Sequence, residues 1–578
     1  MYDLVITGGT VVDGTGTPPR LADIAVQDGI IAAVTEPGQL DGEGSEHIDA
    51  TGLLVTPGFV DIHTHYDGQA TWDPFLSPSC WHGVTTVVAG NCGVGFAPAA
   101  PDKREWLVGL MEGVEDIPGS ALVEGLKWGW ETFPEYLDAL ETMPRIMDIG
   151  TQIAHGPVRA YVMGERGANN EPATPEDIEQ MATLVGEAVR AGALGFSTSR
   201  TLSHRAIDGE PVPGTYAAED ELFGIGRALR DVGAGLFEVA PSGIAGDDHI
   251  EPYKEVAWMQ RLAKEIERPV TFGMNQTNTS PDEYHDMLDA AAGAAAAGDN
   301  LFPQVAGRAN GLLFGLETTF HPFINRPTWQ SLMALAPAER LERLREPAIR
   351  EAILNEQDPP DKQNVLSLYG DRTVKLTDEM DYEPDYESSV AYLAETSGRT
   401  VFEVLYDLIT ESEPDQLFMV PILNYAYSSL DAVREMIQHP QSVMGLADGG
   451  AHCAIICDAS IPTTNVTIWT RDRTRGEKLP LEFIIRKQTQ DTARLFGMHD
   501  RGVLAVGFKG DLNVIDYDNL RVHQPQIVHD LPGGAKRLIQ RADGYVATIV
   551  SGQVVMRNGE PTEARPGRVV RGEQLAPA

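Results

Sequence analysis

The chain has 578 residues, 42% hydrophobic and 22% charged, the composition of an ordinary globular protein long enough for more than one structural unit. Its 85 acidic against 44 basic residues leave a net charge of −41, which argues against nucleic acid or an anionic membrane as a partner. No stretch reaches the roughly 18 apolar residues of a membrane helix, and Met1-Tyr2-Asp3-Leu4-Val5-Ile6 lacks the basic start and apolar core of a secretory signal. Four cysteines are too few for a disulfide framework, so a reducing cytoplasm is the expected location.

Residues 2–56 read as short strands and turns, with Asp28-Gly29 marking a hairpin between Ile24-Ala25-Val26 and Ile30-Ile31-Ala32-Ala33-Val34. The C-terminal part repeats this character, with strands at 511–516 and 547–550 and a Ser551-Gly552 turn into 553–556. The expectation is a small β-sandwich built from 1–56 and 496–578. Between them, over 57–495, strands alternate with helices, the α/β pattern of a (β/α)₈ TIM-like barrel. Strands are expected at 57–62, 83–90, 151–154, 193–197, 235–239, 269–273 and 443–448, with a helix at about 175–190. Residues 310–430 are too long for one connection and read as an insertion, either a lid or subunit contact or plain packing helices. The C-terminal tail is the one loosely structured candidate.

Chemistry is sought where the strands end. Pro57-Gly58-Phe59-Val60-Asp61-Ile62-His63-Thr64-His65 is a short apolar strand running into two histidines. Residues i and i+2 of a strand share a face, so His63 and His65 project together and suit one divalent metal. Asn91-Cys92-Gly93, Ala154-His155-Gly156 and Asp448-Gly449-Gly450 end other strands. Cys92 is either a small apolar filler or, as a thiolate, a soft ligand suited to zinc. Asp448 is the candidate general base, with a turn or cap aspartate as the alternative.

The PGFVDxHxH opening is identified as that of the amidohydrolase superfamily, and Gly90-Asn91-Cys92-Gly93 resembles the corresponding segment of the N-acyl-D-amino-acid deacylases. Further echoes are Ala154–Arg159, Ala191–Thr198 and the closing segment Asp500–Leu512. The resemblance implies a metal-dependent amidohydrolase with His63, His65, Cys92 and Asp448 at a centre of one or two divalent ions, zinc first, and a small-molecule amide as substrate. Assembly into a homo-oligomer rests on fold analogy alone.

The pattern breaks in one place. The deacylases supply two more metal histidines from the fifth and sixth strands, where this chain has Phe237-Glu238-Val239-Ala240 and Gly273-Met274-Asn275-Gln276. Glu238 is the candidate replacement ligand, because carboxylate oxygen also binds zinc; Asn275 is a weaker ligand and otherwise a substrate-side residue. The family's lysine and arginine for the substrate carboxylate are also missing. His155, His452 and Arg200 are the candidates for substrate binding, with Arg308 and His204 as other sources of positive charge. A cyclic or peptide-like amide, or a metal-poor barrel that binds without turnover, are the alternative readings.

Overall fold

A computed structural model describes residues 1–577 except 41, 43, 247–251 and 360–368. The middle of the chain alternates parallel strands with helices. Phe59–Asp61, Val84–Ala89 and Asp148–Thr151 pair in that order. Gln152 alone separates the third of these from Ile153–Ala154, which begins a second run through Gly195–Ser199, Leu236–Ala240, Val270–Met274, Leu301–Val305 and Val443–Met444. The strands are buried almost throughout, so they do not alternate between a buried and an exposed face. At the far end of the series Asp448 N donates to His63 O at 3.0 Å and His65 N donates to Gly449 O at 2.8 Å. The last strand's end therefore lies beside the first.

The helices between strands follow from local chemistry. Pro175–Ala191 starts at a capping box, in which Thr174 Oγ1 accepts from Asp177 N and Asp177 accepts from Thr174 N. It buries Met181, Val185, Ala188 and Val189 on one face and stops at Gly192 with φ +120°. Among the described residues, no helix is long and apolar enough to cross a membrane.

The two ends of the chain meet in one nine-stranded sheet. Tyr2–Val11 pairs with Arg20–Gln27, Gly44–Asp49 and Leu54–Pro57, and Leu512–Ile515 joins Leu54–Pro57 to Tyr545–Val550 and Gln553–Arg557. Leu4, Ile6, Ile24, Val55, Val514 and Ile549 form its core. Both hairpin turns, Asp28-Gly29 and Ser551-Gly552, have positive φ at both residues, the geometry that matches strand twist.

Three expectations are corrected. Leu301–Val305 is a parallel strand that the sequence reading did not include, masked by Pro303 and Gln304 in its middle. The strand expected at 443–448 ends at Met444, because Leu446 and Asp448 take positive φ and leave the extended conformation. The tail is not loose: Ile149 N donates to Arg568 O, Val570 N to Ile149 O, and Gln574 N to Gly497 O, at 2.8–2.9 Å. Within 310–430, Asn310–Phe314, Val374–Lys375 and Phe418–Leu423 form an antiparallel sheet that packs with helices on a core of its own, including Phe314, Phe323, Trp329 and Leu405. The part of that segment at 360–368 lies outside the described residues.

A buried ionic clamp ties the terminal sheet to the parallel strands. Asp148 Oδ2 accepts from Arg501 Nη1 at 2.7 Å and lies 3.1 Å from Lys509 Nζ, while its Oδ1 accepts from Arg568 N at 2.9 Å. Burial pushes this carboxyl up, but Lys509 and Arg501 pull it further down, from 3.8 to about 2. Its stabilising effect is therefore full above pH 3.8 and is lost as pH falls through about 2. Asp148→Asn is expected to cost about 3 kcal/mol at neutral pH, the low end for breaking a buried pair, since Asp500 still holds Arg501. Denaturant unfolding measures it, and the gap between wild type and variant should narrow as pH drops from 4 toward 2.

Candidate metal centre

His63 and His65 follow the strand Phe59–Asp61, with their ring centroids 5.5 Å apart. His63 Nε2 lies 3.3 Å from Cys92 Sγ and 3.5 Å from Asp448 Oδ1, and His65 Nε2 lies 3.8 Å from the same oxygen. The ligand atoms of His63, His65 and Cys92 all fall within 4.8 Å of one another, and the three residues are buried. Asp448 closes the group with a side chain 16% exposed, so it is the member nearest the outside.

Backbone geometry delivers the thiol and the carboxylate. Cys92 has φ +55° between Gly90 at +77° and Gly93 at +69°. A Cβ on Gly90 would meet Gln152 O at 2.2 Å and one on Gly93 would meet Ser199 N at 2.8 Å, so this turn needs glycine on both sides. Asn91 Nδ2 donates to Thr64 O and Val88 O, stitching the turn to the His63–His65 segment. Asp448 has φ +48° and is followed by Gly449, where a Cβ would meet Ser79 Oγ at 2.6 Å. Left-handed backbone at two non-glycine residues, both at one cluster, is local strain that the surrounding structure holds in place.

The electrostatics call for a cation. Burial pushes the Cys92 thiol well above its ordinary range, and Glu238, Glu115, Asp448 and Asp67 push it further. Burial raises Glu238 to about 8, with Asp448 adding to it. Burial likewise drives Glu115 and Asp448 well up, with Asp448 and Asp67 acting on the former and Asp458 and Asp61 on the latter. Burial holds His63 down at about 4 and His65 well below its usual value, so both imidazoles are neutral. Two neutral imidazoles, a thiol and several buried carboxyls form a donor set that fits a divalent metal.

The other residues expected at the site divide. Glu238, on Leu236–Ala240, accepts from Cys92 N at 3.0 Å through Oε2, and its buried Oε1 has no hydrogen-bond partner among the described residues. It thus stands directly behind the thiol. Asn275 is engaged elsewhere, its Oδ1 accepting from Asn424 Nδ2 at 2.9 Å. His155 has Nδ1 beside Thr198 Oγ1 at 2.8 Å and Nε2 beside Glu221 Oε1 at 2.9 Å, with Arg159 on the same carboxylate. Arg200 pairs with Glu255 at 2.7 Å, and Arg308 with Asp458 and Ser460. His204 lies 3.0 Å from Ser199 Oγ. His452 borders the cluster, with Nε2 3.7 Å from Glu115 Oε2, and both it and His204 lie close enough to act on His65. Sequence reasoning missed two residues. Gln304 places Oε1 3.0 Å from His63 Nδ1, and a polar side chain inside an apolar strand was a signal for it. Glu115, at the end of the helix Arg104–Glu115, sits 3.1 Å from His65 Nδ1, and no local pattern marks it.

The profile of the amidohydrolase family matches residues 46–556. The chain belongs to the amidohydrolase family. This amidohydrolase is 27% identical over 577 residues to the N-acyl-D-aspartate deacylase of Alcaligenes xylosoxydans xylosoxydans, covering 98% of this chain and 95% of that one. It superposes on a D-aminoacylase with a binuclear metal center at a TM-score of 0.65 and 23% identity, over 99% of this chain and all of that one. It also superposes on the N-acyl-D-glutamate deacylase of Bordetella bronchiseptica, solved with zinc and a phosphonate inhibitor, at 0.64 and 22%, over 99% of both. These superpositions show the fold, and the sequence match sets the amidohydrolase among D-aminoacylase-like members.

If Cys92 belongs to the centre, Cys92→Ser weakens zinc binding at least 10- to 100-fold, the loss seen even for outer partners of metal ligands. Chelator competition reads this directly, and unchanged affinity returns Cys92 to the core. In the same assay Glu238→Ala lowers affinity more than Asn275→Ala does.

Proposed function

We propose that this protein is a metal-dependent hydrolase of a non-peptide amide, with an N-acyl amino acid, D-configured first, or a similar N-acyl compound as substrate. The reading rests on one observation: His63, His65, Cys92 and Asp448 converge at the ends of the first, second and last parallel strands. We read those strands as a closed (β/α)₈ barrel whose C-terminal face carries the site, with residues from both chain ends as a separate β unit. His63, His65 and Cys92 would hold the metal, with Asp448 as the open-side member. Zinc suits a mixed imidazole and thiolate set. One cluster of at least three such ligands exists among the described residues, which favours one tightly held ion.

A divalent ion bound there supplies Lewis acidity, lowering the pKa of water and polarising a carbonyl. The chain's own residues do the rest. Asp448, ionised by a neighbouring cation, takes a proton from the attacking water as its oxygen bonds to the amide carbon. It passes that proton to the amide nitrogen as the carbon–nitrogen bond breaks. Water and amide thus become a carboxylic acid and an amine. Cys92 and Glu238 lie deeper than Asp448, so substrate approaches from the side of Asp448 and His452, whose side chains are 16% and 22% exposed. The acidic surface and the absence of a long apolar helix among the described residues suit a small-molecule enzyme of the cytoplasm.

Asp448→Asn should keep most of the zinc yet lower kcat roughly 10²- to 10⁴-fold, the usual share of a general base. Amine release from a panel of N-acyl-D- and N-acyl-L-amino acids measures it. Full turnover by the variant removes Asp448 from proton transfer, and no turnover of any acyl compound by wild type overturns the substrate class.

A further inference from the structure

Each histidine of the cluster has two ring nitrogens, and a metal can take only one. His63 turns Nε2 toward Cys92 and Asp448, while its Nδ1 lies 3.0 Å from Gln304 Oε1. An amide oxygen is an acceptor, so it holds the proton on Nδ1 and frees the Nε2 lone pair. His65 is arranged the same way but with a different partner. Its Nε2 faces Asp448 at 3.8 Å, and its Nδ1 lies 3.1 Å from Glu115 Oε1, off the line of the ring N–H. Among the described residues neither His65 Nδ1 nor either Glu115 carboxylate oxygen has a hydrogen-bond partner, and Glu115 is 1% exposed. A buried carboxylate left so is expensive unless something nearby uses it.

Glu115 also reaches the segment that carries Asp448. Its backbone oxygen accepts from His452 N, its Oε2 lies 3.7 Å from His452 Nε2, and the next residue, Asp116, accepts from Ala454 N at 3.2 Å. The end of the helix Arg104–Glu115 is thereby fixed against the turn that follows the proposed base. His452 itself has φ +48°, so this contact holds a bent backbone.

We propose that Glu115 is a positioning residue of the metal centre: its carboxylate keeps the proton of His65 on Nδ1, presents Nε2 to the cluster, and steadies the 452–454 segment behind Asp448. Once ionised beside a bound cation a carboxylate can only accept, so it fixes the ring orientation without ambiguity, whereas the amide at His63 can present either end. The inference rests on the metal reading of His63, His65 and Cys92. It assigns to Glu115 no contact with substrate.

The test compares wild type, Glu115→Gln and Glu115→Leu in two measurements on full-length protein. One is zinc affinity by competition with a chromophoric chelator; the other is thermal unfolding of the metal-stripped chain. Glu115→Gln should bind zinc roughly 10- to 100-fold more weakly and Glu115→Leu more weakly still. The metal-free midpoint of Glu115→Gln should not fall, because that change removes a buried acid whose oxygens have no hydrogen-bond partner among the described residues. A purely structural residue behaves oppositely, with a lower metal-free midpoint and unchanged affinity per folded chain, and that result overturns the proposal. Wild-type zinc affinity in Glu115→Gln overturns it too while leaving the metal reading intact. A wild-type chain that takes up no zinc overturns both.

Discussion

Two backbone hydrogen bonds set the geometry on which the site depends. Asp448 N donates to His63 O and His65 N donates to Gly449 O, so the end of the last parallel strand is fastened to the end of the first. Residues almost four hundred positions apart in the chain become neighbours, and their side chains have no independent freedom to drift. Asn91 adds the second strand by donating to Thr64 O, and the glycines beside Cys92 let that turn approach closely enough. The helices, the terminal sheet and the clamp at Asp148 hold this edge-to-edge contact rigid from outside. A bidentate or tridentate grip on a metal needs such rigidity, because ligands that must be ordered at binding weaken it.

The centre is also a concentration of acidity in a dry place. Burial pushes Cys92, Glu115, Glu238 and Asp448 toward their protonated forms, and the charge of Asp448 adds to the effect on the other three. Without a cation, ionising any of them costs several kcal/mol of desolvation. On the proposed reading a bound cation offsets that cost, with Cys92 as a ligand and Asp448 as the base. The same place holds left-handed backbone at Cys92, Asp448 and His452, a second local cost. Arg200 and Arg308 are paired with Glu255 and Asp458.

The local features of the site were legible in the sequence. His63 and His65 sit in a strand-end motif, the glycines around Cys92 announce a turn, and Asp448 precedes two glycines at the end of an apolar run. The two hairpins were readable from Asp28-Gly29 and Ser551-Gly552 for the same reason, that positive φ has a sequence signature. What was not legible depends on distant partners. Glu115 is an ordinary helix residue until folding sets it against His65, and Arg200 looks like a free cation until Glu255 meets it. Leu301–Val305 was hidden by its proline and glutamine, although Gln304 is there to face His63. The small sheet within 310–430 joins strands about a hundred residues apart, and no local pattern announces such a pairing.

The central claim is that His63, His65, Cys92 and Asp448 form a metal centre. The most direct measurement is elemental analysis of protein purified without chelator, repeated after stripping and after re-addition of zinc. The account predicts about one equivalent or more per chain as purified, lost on stripping and regained on addition. No metal as purified and no uptake from added zinc would contradict it.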